Sequence, residues 1–127
     1  KRICHKSFSY LANNRHEASD CSWNQPGGAG FSINQLFNSL KIAHGSDPSG
    51  LGRWSFVKFQ GRANSTVTLF SAYCPVENAR DLRSVWNQHC CYFHASEDLP
   101  CPNPRILFNR DLTAALSACL EAGDSVI

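Results

Sequence analysis

Apolar residues take up helical spacing twice in the second half of the chain. Leu82, Val85, Trp86, Cys90 and Phe93 recur at i, i+3, i+4, i+8 and i+11. Phe108, Leu112, Ala115, Leu116, Cys119 and Leu120 recur at i, i+4, i+7, i+8, i+11 and i+12. Each stripe predicts an amphipathic helix. The second helix is also bounded by end signals. Asn103 stands at a cap position, Pro104 in the first turn and Gly123 beyond the last. Ser125-Val126-Ile127 then opens an apolar strand.

Upstream the period changes. Trp54 to Phe59 and Val67 to Tyr73 are rich in aromatic and β-branched residues, and Gln60 to Ser65 between them is a polar connection of hairpin length. In the second of these strands Val67 and Leu69 share one face, and Phe70 and Ala72 the other. Apolar residues on both faces predict a central strand covered on both sides. Ile33, Leu36, Phe37 and Leu40 predict a short helix that Gly45 ends. Ser46-Asp47-Pro48-Ser49-Gly50 is turn chemistry throughout. Gln25-Pro26-Gly27-Gly28-Ala29-Gly30-Phe31 reads either as a strand entering a packed sheet or as a surface turn. Lys1 to Asn24 has no clean period, and Asn13-Asn14, Ser19-Asp20 and Ser22 suggest loops around short elements. The predicted order is strand, short helix, turn, strand, hairpin, strand, helical crossover, strand. The closing crossover is of βαβ type, so the class is α/β. One domain is expected, with a poorly patterned segment 1–24 and the organised part over 25–127.

Composition narrows this only a little. With 43% hydrophobic and 17% charged residues the chain is globular rather than disordered. The 12 Lys+Arg against 10 Asp+Glu leave a formal charge of +2, which argues neither for nor against nucleic acid, because phosphate binding needs a concentrated basic patch. No apolar run approaches the ~20 residues that span a bilayer, so no membrane partner is expected. No signal-peptide pattern opens the chain, and the lack of any Met fits a piece cut from something longer. The seven cysteines are an odd number, so at least one is free or paired outside the chain. Two or three disulfides would suit a secreted protein. Cysteine also packs as a small apolar residue, and Cys119 lies on a core stripe in that manner. Asn64-Ser65-Thr66 is a glycosylation sequon. The compartment stays open: extracellular by the cysteines and the sequon, intracellular for a mobile-element nuclease.

Four short motifs, in order, resemble the endonuclease–exonuclease–phosphatase superfamily, the DNase I-like group. Pro26-Gly27-Gly28-Ala29 is similar to its Gly-Gly strand opening. Asp47-Pro48-Ser49-Gly50-Leu51-Gly52-Arg53-Trp54 is similar to its acidic turn leading to Gly-Arg and a strand. Ser71-Ala72-Tyr73-Cys74-Pro75-Val76 resembles its strand followed by Tyr-x-Pro, and Gly123-Asp124-Ser125-Val126-Ile127 resembles the lead-in to its Asp-x-Asn strand. The likeness is nearest to a divergent branch met in protist genomes and mobile elements, where a Gln such as Gln88 follows the Tyr-x-Pro motif. It covers Gln25 to Ile127.

The resemblance implies a partial DNase I-like α/β sandwich, a mixed sheet with flanking helices, incomplete at both ends. It implies Mg²⁺-dependent attack on a phosphodiester, with nucleic acid or another phosphodiester as partner if the domain is complete. Tyr73 matches an active-site Tyr that hydrogen-bonds phosphate, and Arg53 is the candidate for substrate binding. Arg53 is alternatively paired with a carboxylate behind the sheet. The family's early Asn and Glu find no match in Lys1 to Asn24, and its Asp-x-Asn pair and terminal Asp-His would lie beyond Ile127. No metal ligand is therefore assigned, and the segment alone is expected to be inactive. The ordinary reading of Tyr73 is a strand-end Tyr with a packed ring and a wet hydroxyl.

Other constellations are weaker. Glu17, Asp20, Asp47, Glu77, Asp98, Asp111, Glu121 and Asp124 stand singly, without the oxygen-ligand spacing that Mg²⁺ demands. Asp47 is assigned to its turn and Asp124 to the flank of its strand. Cys91-x-x-His94 with Cys101 is one soft-ligand cluster, but Cys90 lies on the core stripe and no second pair completes a zinc site. A disulfide involving Cys91 or Cys101 is the preferred reading. A Cys–His nucleophile needs a spatial pair that spacing cannot show. Arg53, Lys58 and Arg62 with Trp54 and Phe56 could track a nucleic-acid strand, or form an ordinary solvated strand face. Two functions remain. One is part of a metal-dependent phosphodiesterase or endonuclease. The other is a non-catalytic extracellular module, disulfide-linked or glycosylated on Asn64, acting by self-association.

Overall fold

The computed structural model describes residues 8–13, as backbone, and 28–127. The expected loops at Asn14, Ser19-Asp20 and Ser22, the start of the Gly-Gly motif at Pro26-Gly27, and the singly placed Glu17 and Asp20 lie outside them. Among the described residues the elements are β1 (Phe8–Asn13), β2 (Ala29–Asn34), α1 (Gln35–Asn38), β3 (Lys41–Ser46), β4 (Trp54–Gln60), β5 (Thr66–Ala72), α2 (Val85–Glu97), α3 (Pro104–Glu121) and β6 (Ser125–Val126). They make a mixed four-stranded sheet in the order β3-β4-β5-β6 and a separate antiparallel β1-β2 pair, with helices flanking the four-stranded sheet. The class is α/β.

β4 and β5 form the centre of the sheet, as their aromatic and β-branched composition predicts. They pair antiparallel from Trp54↔Ala72 to Gln60↔Thr66. Phe56 and Phe70 face each other across this ladder with ring centroids 5.5 Å apart. The pleat divides β4 into two faces. Trp54, Phe56 and Lys58 look toward the helices, and Trp54 meets Phe108 of α3 edge-on at 6.3 Å. Val57, fully buried, looks the other way. The β1-β2 pair packs against β4 and β5, on the face away from the helices. After β5 the chain crosses through α2 and α3 and returns as β6, parallel to β5 with Thr68↔Val126 in register. This is the expected βαβ connection.

Helix ends follow the sequence closely. The Asn103 side chain accepts hydrogen bonds from Arg105 N and Ile106 N, Pro104 opens α3, and Gly123 follows its end at φ 83. Ser84 caps α2 through Asn87 N. Leu51, Phe93 and Leu107 form a buried cluster against which Tyr92 and Leu99 pack.

Three expectations are corrected. The helix over Ile33 to Leu40 shrinks to the single turn α1, and Ile33 belongs instead to β2 opposite Ser9. Strand pairing takes Ile33 into the interior, while Leu36 and Phe37 are left exposed. Gly45 does not end a helix: it sits within β3, a strand the apolar pattern missed, opposite Phe56. Leu82 lies ahead of α2 rather than on its stripe and is 84% exposed. β1 was also invisible to periodicity. No helix among the described residues is long and apolar enough to cross a membrane.

Candidate functional site

The turn between β3 and β4 is built around the Asp47 carboxylate. It accepts from Ser49 N at 3.0 Å and Ser49 Oγ at 2.7 Å, and Ser49 Oγ in turn accepts from Leu51 N. This is the local pattern by which Asp organises a turn. The backbone closes it, with Asp47 N donating to Trp54 O and Gly50 N to Asp47 O. Gly50 and Gly52 supply the positive φ values, 75° and 70°. The turn brings Arg53 back onto Asp47. Nε and Nη2 of Arg53 donate to the two carboxylate oxygens at 2.7 and 3.0 Å, a forked pair with both side chains almost wholly buried.

The remaining arm of Arg53 leaves the turn. Nη1 donates to Asp111 of α3 at 2.8 Å. Asp111 also accepts from Arg110 Nε at 2.6 Å. Arg110 forks onto Glu97 at the end of α2 at 2.8 and 2.7 Å. The guanidinium of Arg53 lies over the rings of Trp54 and Phe93, 4.6 and 5.2 Å from their centroids. Three carboxylates and two guanidiniums thus alternate from the turn to both helices. Burial pushes the Asp47 carboxyl up, but the Arg53 and Ser49 hydrogen bonds outweigh it and hold it below the usual carboxylate range. Asp111 is likewise held low by Arg110 and Arg53 against its burial. Glu97 is lowered mainly by Arg110.

Arg53, Asp111, Arg110 and Glu97 of this chain line a cleft of about 620 Å³. Trp54 and Phe56 of the sheet, Ala114 and Ala115 of α3, and Tyr92 and Pro48 line it as well. Small residues on α3 opposite aromatic rings on the sheet are what make the space.

A second polar node lies further along the same sheet face. Asp124, just before β6, receives Lys58 Nζ at 2.5 Å, Thr68 Oγ1 at 3.0 Å and Thr66 Oγ1. Lys58 foremost, with Thr66, holds its carboxyl below the ordinary range. The side-chain hydroxyl of the sequon's Thr66 is therefore engaged in the fold, while Asn64 is exposed at the hairpin tip.

Tyr73 and Arg53 come together through the backbone: Tyr73 N donates to Arg53 O at 2.8 Å. Tyr73 is half-buried immediately beyond the carboxyl end of β5. Arg53 is 2% exposed. Arg62 lies exposed at the hairpin tip, apart from Arg53 and from the paired Lys58. Among the described residues no group of three or more His, Cys, Asp or Glu is placed to hold a metal ion. Cys91 and His94 are both exposed on α2, and Cys74, Cys90, Cys91, Cys101 and Cys119 are thiols. Cys4 and Cys21 lie outside the described residues. Sequence reasoning missed the Glu97–Arg110 fork. Its partners stand on two helices whose relative placement no local spacing encodes. Comparison with protein-family models, curated proteins and solved structures finds no match to this chain.

Proposed function

We propose that the chain is the scaffold of a DNase I-like, metal-dependent phosphodiesterase domain, with Tyr73 on its phosphate side. The observation that carries this reading is the direction of β6. It runs parallel to β5, with Ile127 N donating to Thr68 O and Phe70 N to Ile127 O. Any residues following Ile127 along that ladder would come up beside Tyr73, at the carboxyl ends of two parallel strands. That is where open α/β sheets place their ligands. The resemblance puts its Asp-x-Asn pair at that point. The Asp47–Arg53 turn supports the same reading, since it gives the family's acidic turn a physical task, seating Arg53 in the lining of the cleft. In this proposal Arg53 is architecture and does not touch substrate. The described residues do not assemble a ligand set for Mg²⁺. The task of Tyr73 is to donate its hydroxyl to a phosphate oxygen.

The test begins with the intact mass and terminal peptides of the native protein. Peptides running past Ile127 into an Asp-x-Asn sequence are expected, together with EDTA-sensitive cleavage of DNA by that protein in Mg²⁺. Tyr73→Phe should lower the cleavage rate at least about tenfold. A native chain ending at Ile127, or one that cleaves no phosphodiester, overturns the reading.

A second reading, a self-associating module, is favoured by one patch. Leu36, Phe37, Leu40 and Ile42 are all exposed along α1 and the edge strand β3. A concentration-dependent dimer, lost in Phe37→Ser, would favour it over catalysis.

A further inference from the structure

We propose that Cys90 and Cys101 are the two halves of an intramolecular disulfide that closes the corner between α2 and α3, leaving Cys91 as the free thiol of the cluster. Cys90 lies two turns before the end of α2, and its thiol donates to the carbonyl of Pro102 at 3.6 Å. Pro102 is the neighbour of Cys101, so the loop has already doubled back onto the Cys90 side chain.

The loop is held there at three points. Asp98 ends α2 in the left-handed conformation, φ 52. Leu99 packs against the Leu51, Phe93 and Leu107 cluster. Asn103 caps α3. Cys101 sits between anchored residues beside Cys90, so closing the bond orders little further chain. Cys91 is the neighbour of Cys90, yet it projects about 100° further round the helix, and it is exposed. A Cys90–Cys91 bond is excluded by helical backbone, in which adjacent side chains diverge.

Accessibility gives the order of events. Cys101 is exposed, whereas Cys90 is half-buried. Burial, and then the nearness of Cys91 and Cys101, push the Cys90 thiol up, which marks it as the slower thiol to ionise. With a low-molecular-weight disulfide such as oxidised glutathione, the Cys101 thiolate attacks one sulfur, forming a mixed disulfide and releasing one small thiol. The Cys90 thiolate then attacks Cys101 Sγ and expels the second. The two protein thiols lose their protons and two electrons, and the small disulfide is reduced to two thiols. Pro102 O loses its donor in the exchange, at a residue that is itself half-buried.

The experiment equilibrates the full chain in glutathione buffers of graded oxidised-to-reduced ratio, quenches with an alkylating reagent and maps tryptic peptides. All three cysteines fall in the peptide Ser84–Arg105, and a second cut after Tyr92 or Phe93 separates Cys101 from the other two. The expected result is a linked pair in the wild type and in Cys91→Ser, with loss of the link in Cys90→Ser and in Cys101→Ser. Circular dichroism of each variant confirms that it is folded. A link that survives in Cys90→Ser, and so runs through Cys91, overturns the proposal. So does full alkylation of Cys90 and Cys101 in folded protein at every ratio.

Discussion

Arg53 reaches Asp111 across 58 residues of sequence at 2.8 Å while its other two nitrogens clasp Asp47. One buried guanidinium thus joins the β3–β4 turn to α3. A charged group this deep is stable only because each arm meets an acceptor. Its removal would leave Asp47 buried without a cation. Arg53→Ala should therefore lower unfolding free energy by about 3–5 kcal/mol. The double variant Arg53→Met with Asp47→Asn, which removes both charges and keeps volume, should lose much less. Urea denaturation of both variants decides the point. Equal losses in the two would mean that the lost hydrogen bonds of Arg53, rather than the unpaired carboxylate, set the cost.

The same network makes stability depend on pH in one direction. Asp47 and Asp111 have carboxyls lowered in the folded state relative to the unfolded chain. Groups of that kind bind protons more weakly when folded, so their contribution is present above the unfolded value and is lost as pH falls through the folded one. The urea midpoint should fall steeply below about pH 4, where these carboxyls take up protons. In the Arg53→Met/Asp47→Asn variant the fall should be shallower. Parallel acid profiles for the two proteins would place the acid sensitivity elsewhere.

Local signals made the best-defined elements legible. Asn103, Pro104 and Gly123 bound α3 as their chemistry dictates, and the β4–β5 hairpin follows from aromatic and β-branched runs around a polar tip. The Asp47 turn was legible for the same reason. β3 was not, because Lys41–Ser46 is an edge strand with most of its side chains exposed, and exposure erases the alternation that marks a strand. Ile33 carried helical spacing by coincidence, and pairing with β1 overrode it. Of the charge network only Asp47, as a turn residue, and Arg53, as a residue with a carboxylate partner, were legible, and not that the two pair. Asp111, Arg110 and Glu97 join them through the packing of two helices, which no spacing in the sequence records.

Gly45 offers a steric test of the sheet's helix-facing side. A Cβ at this position would lie 2.6 Å from Cε1 and 2.7 Å from Cζ of Phe56. The Phe56 ring packs against Phe70, so turning it away into the cleft gives up that contact. Gly45→Ala should therefore destabilise the protein by about 1–3 kcal/mol. Phe56→Leu frees that space, so the double variant should be less destabilised than the sum of the two single changes. Thermal unfolding of the four proteins completes the cycle. Strict additivity would show that the ring and the Gly45 backbone are not in contact.

Ala63 is an exposed residue held at φ 52 and ψ 43, in the left-handed region, at the tip of the β4–β5 hairpin. Its methyl group meets the following carbonyl in that conformation, at a cost of about 1–2 kcal/mol. Glycine removes the clash but adds freedom to the unfolded chain, offsetting about 0.4–1 kcal/mol of the gain. The net expectation is that Ala63→Gly stabilises by up to about 1 kcal/mol. Ala63→Val, β-branched at the same φ, should destabilise. Thermal midpoints should rank Gly above Ala above Val. A Gly variant less stable than the parent would mean that the hairpin tip does not hold this backbone in solution. The neighbouring Asn64 has φ 60 and is of a type that tolerates it. Asn64→Asp is therefore the substitution that removes the glycosylation sequon while leaving the turn intact, and it should leave the thermal midpoint of unglycosylated protein within a degree or two of the parent, on the order of 0.5 kcal/mol or less.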